Sequence, residues 1–233
     1  MKKNLLVLAF LVGLLTCCKS EDAPIKPVKP TDPGSINKEY MSRAETTFAN
    51  IFKYYWSDKV RMMFGSYPNT LGTPQEPSSP DYDSHAFLWG LGSVVSAFNA
   101  IVQNTDNVDF RMTYESRLKE TLLKYYNTTK EPMCFGCFVN PHDQRLYDDA
   151  IWVGIDLADL YSKTKDSWYL DYAKSVWNFV LSGKDDELGG GVYWDENAKD
   201  SKNICSNAPA VVLALKPLLK PPISRPSTPG TPK

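Results

Sequence analysis

The stretch that most limits how this chain can fold is "RLYDDAIWVGIDLADLY", residues 145 to 161. At a helical period, Tyr147, Ile151, Gly154/Ile155, Ala158 and Tyr161 form one apolar stripe, and Ala150, Val153, Leu157 and Leu160 form a second. Only a narrow face is left, carrying Asp149, Trp152, Asp156 and Asp159. A helix with that much apolar surface has to be an inner one, covered by other helices. It opens on two adjacent aspartates, Asp148 and Asp149, whose like charges repel.

The rest of the central region supplies partners of the same kind. "NKEYMSRAETTFANIFKYYW" repeats apolar groups at Tyr40, Ala44, Thr47/Phe48, Ile51 and Tyr55. "DSHAFLWGLGSVVSAFNAIV" is apolar almost all round and reads as a second buried helix. "RMTYESRLKETLLKYY" is amphipathic, "DSWYLDYAKSVWNFVL" gives a fifth helix and "SNAPAVVLALK" a sixth. No segment alternates with period two for long enough to build a sheet, and "GGGVYW" predicts at most a short strand or hairpin. The fold class is all-α. Six helices between residues 37 and 216 allow about 30 residues each, more than short connections need, so long loops are expected. Loops on a rigid scaffold are where binding and catalysis tend to sit.

The two ends have other tasks. Lys2 and Lys3 precede "NLLVLAFLVGLLT", a basic start and an apolar run too short to span a bilayer, the pattern of a secretion signal over residues 1–18. It runs into "LLTCCKSED", which resembles a bacterial lipobox with Cys18, or failing that Cys17, as the lipidated residue. The acidic "SED" resembles the signal that sends lipoproteins of the Bacteroides group to the cell surface. A lipid-anchored protein of the outer membrane, exposed at the surface, is therefore expected. Residues 19–36 are rich in proline and charge and predict an extended tether. Residues 217–233, with six prolines and no periodicity, cut off the sixth helix and predict either a disordered tail or a shifted reading frame.

Net charge is −1 and no Lys/Arg cluster stands out, so nucleic acid is excluded as a partner. Tryptophan and tyrosine are spread along the central region, which suits helix packing and a carbohydrate cleft equally. The paired aspartates also allow two readings. Acidic residues favour the positive end of a helix. Side chains of neighbouring helical residues also start about 5–6 Å apart. That is close to the roughly 5–5.5 Å between the carboxyls of retaining glycosidases. Repulsion would keep one carboxyl ionised and the other protonated. In "GGGVYWDENAKDSKNICSNAPAVVLALK" the glycines are not a phosphate loop, because no Gly-Lys-Ser/Thr follows. Ser206 or Asn207 is expected to cap the sixth helix, with Pro209 in its first turn and Tyr193 and Trp194 at a cleft mouth.

"YDDAIWVGIDLADLY", "GGGVYW" and "SKNICSNAPAVVLALK", in that order, resemble glycoside hydrolase family 76, the endo-acting α-1,6-mannanases, over about residues 40 to 216. "DSHAFLWGLGSVVSAFNAI" resembles an earlier inner helix of that family, with Trp89-Gly90-Leu91 where Trp-Pro-Gln is frequent. The resemblance implies an (α/α)6 barrel, of which six helices would be half, and retaining endo-hydrolysis of α-1,6-mannan. It implies Asp148 as nucleophile and Asp149 as general acid/base, with Tyr147, Trp152, Trp194 and Asn207 as cleft residues. It implies neither metal nor cofactor for the chemistry. The alternative is a non-catalytic glycan-binding lipoprotein or an inactive truncated relative. A half-ring would also leave apolar inner faces uncovered, which predicts self-association.

Cys134 and Cys137 form a C-x-x-C with His142 nearby and Cys205 far along. One such pair is weak evidence for zinc, and a redox motif would follow a strand in an α/β pattern. A disulfide or buried thiols are expected instead. His85 reads as a satisfied core residue, and the sequon "NTT" at 127–129 carries no weight beside a bacterial lipobox.

Overall fold

Two kinds of connection alternate along the chain, and they decide where a site can form. In the computed structural model, which describes residues 33–68, 85–139 and 144–216, six α-helices follow one another. They are α1 (Pro33–Tyr55), α2 (Leu88–Asn104), α3 (Val108–Tyr125), α4 (Tyr147–Thr164), α5 (Ser167–Ser182) and α6 (Ile204–Ala214). Residues 105–107 join α2 to α3, and residues 165–166 join α4 to α5. Such short turns force antiparallel neighbours. Asn107 and Asp166 cap the helices that follow, each accepting a backbone N–H, from Phe110 and Trp168. The other connections are long. Cys17, Cys18, His142 and the proline-rich tail lie outside the described residues.

Side-chain register shows that α2, α4 and α6 run parallel. Ser96 and Asn99 of α2 meet Asp156 of α4, and Gln103 further along α2 reaches the carbonyl of Asp159. On the other flank, Cys205 at the start of α6 faces Asp148, and Lys216 just beyond its end binds Asp159 at 2.6 Å. The outer helix α5 runs the opposite way along α4. Gly154 lets it come close: a Cβ there would lie 2.7 Å from Val176 Cγ1. At the far end, Tyr147 stacks on Phe179 with ring centroids 4.3 Å apart. The stripes expected of an inner helix are thus filled, since Ala150, Ile151, Val153, Leu157, Ala158 and Leu160 are all buried. An aromatic cluster of Phe48, Phe52, Phe98, Phe110 and Tyr114 joins α1, α2 and α3. From Glu39 on, the chain is one compact unit; Met1–Lys38 is separate, and of it only the start of α1 is described.

The long connections carry what little strand there is: β1 (Trp56–Ser57) with β2 (Met62–Met63), and β3 (Tyr126–Asn127) with β4 (Cys134–Phe135), both antiparallel. "GGGVYW" gives a single bridge, Lys184 to Val192, in keeping with the short hairpin expected. Gly189, Gly190 and Gly191 all have φ between 86° and 90°, where a side chain is strained. Three boundaries differ from expectation. Helix α1 begins at Pro33, since proline is tolerated where the N–H has no helical partner. Helix α2 begins only at Leu88, because Ala86 N–H is drawn to Met63 O and Leu88 N–H to Cys137 O, each at 2.9 Å. Helix α6 begins at Ile204, after Asn203 whose side chain makes no cap, and not after Ser206 or Asn207, which puts Pro209 beyond its first turn.

Candidate active site

The long connections gather at one end, around the first turn of α4. Leu146, which precedes the helix, has no side-chain cap to offer. Instead Tyr147 N–H donates to Trp194 O at 2.9 Å, and Leu146 bridges to Asp195. Arg145 fixes this junction. Its guanidinium, fully buried, pairs with Glu196 (Nε to Oε2, 2.7 Å) and donates to the carbonyls of Lys130 and Pro132. A buried charge with a bidentate carboxylate and two carbonyls is fully satisfied, so it ties three segments together without an unpaired group.

On that anchored turn sit Asp148 and Asp149, each only 8% exposed. They are adjacent but meet different neighbours. Asp149 looks across to α2, into a cleft of about 260 Å³ lined also by Leu88, Trp89, Gly92, Ser93, Ser96 and Trp152. That volume falls just below the roughly 300–1,000 Å³ usual for small-molecule sites. Asp148 looks towards α6, where the Cys205 thiol faces it, while its Oδ1 is buried without a partner among the described residues. Trp152 is 40% exposed and Trp89 55%, so two indole rings stand open beside a buried acid.

The environments of the carboxyls differ in what they do to a proton. Burial, reinforced by the charge of Asp148, pushes Asp149 up to about 6, against a hydrogen bond from the Cys137 thiol that favours the ionised form. Burial also raises Asp156, behind Ser96, although Ser96 and Asn99 donate to it. Cys137 is itself pushed far up by burial and by Asp149, so its proton stays on sulfur.

Of the residues singled out in the sequence, Asp149 and Trp152 line this cleft, Asp148 sits beside them on the same turn but faces α6, and Trp194 is tied to the start of that turn through its carbonyl. Tyr147 does not reach it. It is 1% exposed and turned onto Phe179. Asn207 is held elsewhere too: its amide accepts from Val192 N–H and donates to Val192 O, both at 2.8 Å, strapping the glycine loop to α6. Tyr193 is buried beneath Lys202 and not at a cleft mouth. Cys134 and Cys137 are free buried thiols and Cys205 is free and exposed. No three metal-ligating side chains converge among the described residues. His85 is half-buried with Nε2 unpartnered among the described residues, and burial and then Lys124 lower its pKa, unlike the satisfied core residue expected. Sequence reasoning missed Ser96 and Arg145, and it noted Trp89 and Cys137 without placing either beside the aspartates.

The fold recurs in solved structures. A family 76 mannosidase from Bacteroides thetaiotaomicron is 26% identical, with a TM-score of 0.66 over 76% of this chain and 48% of its own. A family 76 glycoside hydrolase from a bovine strain of the same species is 29% identical, with a TM-score of 0.63 over 76% and 37%. An α-mannanase of family 76 from that species, 20% identical over 79% and 50%, shares the fold at a TM-score of 0.60. The chain thus spans half or less of the length of these relatives, which accords with six helices as about half of an α/α barrel. No curated protein sequence matches. The model of glycosyl hydrolase family 76 matches residues 39–216, and the chain belongs to that family.

Proposed function

We propose that the chain carries the reacting carboxylates of a retaining hydrolase that cuts internal α-1,6-mannosidic bonds. The observation that carries this is the asymmetry of the aspartate pair: one carboxylate with an unpartnered oxygen, and a neighbour raised to about 6. Asp148 attacks the anomeric carbon as the glycosidic C–O bond breaks, and Asp149 gives its proton to the leaving oxygen. Asp149, now ionised, takes a proton from water, which attacks the same carbon and frees Asp148. The sugar ring stacks between the open faces of Trp89 and Trp152. That the similar structures are a mannosidase and an α-mannanase supports mannan as the polymer. The basic, apolar N-terminus ending in Cys17 and Cys18 supports a lipid anchor at the outer membrane, with the domain at the cell surface.

The test is oligosaccharide release from α-1,6-mannan by the full chain and by Asp148→Asn and Asp149→Asn. Asp149→Asn is expected to lose roughly 10²–10⁴-fold in kcat and to recover on an aryl mannoside whose phenol leaves without protonation. Asp148→Asn should lose turnover on both. Unchanged turnover in either variant overturns its assignment. Binding of mannan without any turnover would favour the second reading, a glycan-binding protein, which the two exposed tryptophans alone would serve.

A further inference from the structure

Behind the wall of the cleft runs a line of hydrogen bonds whose direction is fixed from its far end. Gln103 Nε2 approaches Asp159 O at 3.0 Å, and a carbonyl can only accept, so Gln103 turns its NH2 group this way. The same group donates to Asn99 Oδ1 at 3.0 Å, which orients the Asn99 amide in turn. Its Nδ2 is left to donate to Asp156 Oδ1, at 2.8 Å. The other oxygen, Asp156 Oδ2, accepts from the Ser96 hydroxyl. Asn99 and Asp156 are each 7% exposed, so bulk water competes little for these partners. Burial and Asp159 oppose ionisation of Asp156, while its two donors and Lys216 favour it.

Ser96 itself is half-buried and lines the cleft with Asp149 and Trp152. A serine has one proton and two lone pairs. The proton is committed to Asp156, so the oxygen offers the cleft only lone pairs. Ser93, the other hydroxyl of the cleft, likewise turns its proton away, to Trp89 O at 3.4 Å. We propose that Ser96 is a specificity-determining residue: held as an acceptor by Asp156, its Oγ receives the hydrogen of one ring hydroxyl of the sugar in the cleft. Asp156 is the positioning residue that sets this direction. The proposal rests on the reading that the cleft takes a mannosyl ring. A ring lacking that hydroxyl is rejected, because the acceptor would lose water and gain no partner.

The experiment measures dissociation constants of the full chain at about pH 8, above the ordinary carboxyl range. The ligands are methyl α-mannoside and its complete series of monodeoxy and monodeoxyfluoro analogues. At one ring position neither analogue can donate to Ser96. Both should bind the parent about 3–10-fold more weakly than the mannoside, the fluoro analogue no better than the deoxy one. Ser96→Ala should weaken the mannoside by the same factor and leave that deoxy analogue unchanged, whereas a merely structural role would weaken all ligands alike. Asp156→Asn keeps the shape but presents an NH2 group to Ser96 Oγ, which frees the hydroxyl proton to point into the cleft. The fluoro analogue should then bind better than the deoxy one, reversing the parent's order. Equal loss on every ligand in Ser96→Ala, or loss on none, overturns the proposal, and so does an unreversed order in Asp156→Asn. If Asp156→Asn does not fold, Ser96→Ala decides alone. The expected pattern in a chain that does not cut α-1,6-mannan leaves the proposal standing and removes the hydrolase. Cleavage without the pattern does the reverse, and neither binding of the mannoside nor cleavage removes both.

Discussion

Asp149 keeps its proton longer in the folded chain than an unfolded carboxyl does, and this has a thermodynamic consequence. Between about pH 4 and 6 the unfolded chain has released that proton while the folded chain retains it, so raising the pH favours unfolding. The stability is fully present below about 4 and is lost once the pH has risen through about 6. Replacing the group with a neutral isostere removes the penalty. Asp149→Asn should therefore be more stable than the parent at pH 7.5, by on the order of 2–3 kcal/mol, and no more stable at pH 4. Thermal melts at the two pH values check it; an equal gain at both would show that the carboxyl's charge is not the cause. The same residue shows what a sequence can and cannot tell. The two aspartates were legible because they stand together on an otherwise apolar helix. Their different neighbours were not, since successive side chains diverge by about 100° around a helix. That divergence also turns Tyr147 away onto Phe179, although in sequence it directly precedes the pair.

At the scale of elements, the glycine loop and α6 depend on each other through Asn207. A Cβ on Gly191 would lie 2.3 Å from Asn207 Oδ1, whereas one on Gly189 would meet nothing within 4 Å. Both residues have positive φ, so either alanine strains the backbone by about 1 kcal/mol. Gly191→Ala has in addition to displace the amide that holds Val192. It should destabilise the chain by roughly 1–3 kcal/mol more than Gly189→Ala in urea unfolding. Equal costs would mean that the strap contributes nothing. Helices α4 and α5 could be read almost residue by residue, because hydrophobic period and the Asp166 cap agree. The cleft could not. It joins α2 to α4 through pairs some sixty positions apart, such as Ser96 with Asp156, and nothing local in either segment signals the other. Nor does a sequence show whether an asparagine amide faces a sugar or a backbone.

For the molecule as a whole, the outstanding feature is an apolar stripe on α6. Ile204, Val211, Val212 and Leu215 are all exposed and lie on one side of the helix at a spacing of seven, eight and eleven residues. Exposed apolar faces of this kind drive association. The full chain should sediment as a concentration-dependent mixture of monomer and larger species. Val211→Lys with Leu215→Lys should shift it towards monomer, and a sedimentation profile unchanged by that pair would show that the stripe is not the contact.

The inner helices also share a habit of being held by what comes after them. The first N–H of α2 is taken by Cys137, in the connection before α4, and the first N–H of α4 by Trp194, in the connection before α6. The rim is thus linked hand to hand, each link made by a residue that the chain has not yet reached when the helix behind it is laid down. With the chain synthesised from its N-terminus, the first residue of α2 and that of α4 each wait nearly fifty residues for their anchor. The aspartates, on the first turn of α4, are therefore among the last parts of the fold to be locked in place.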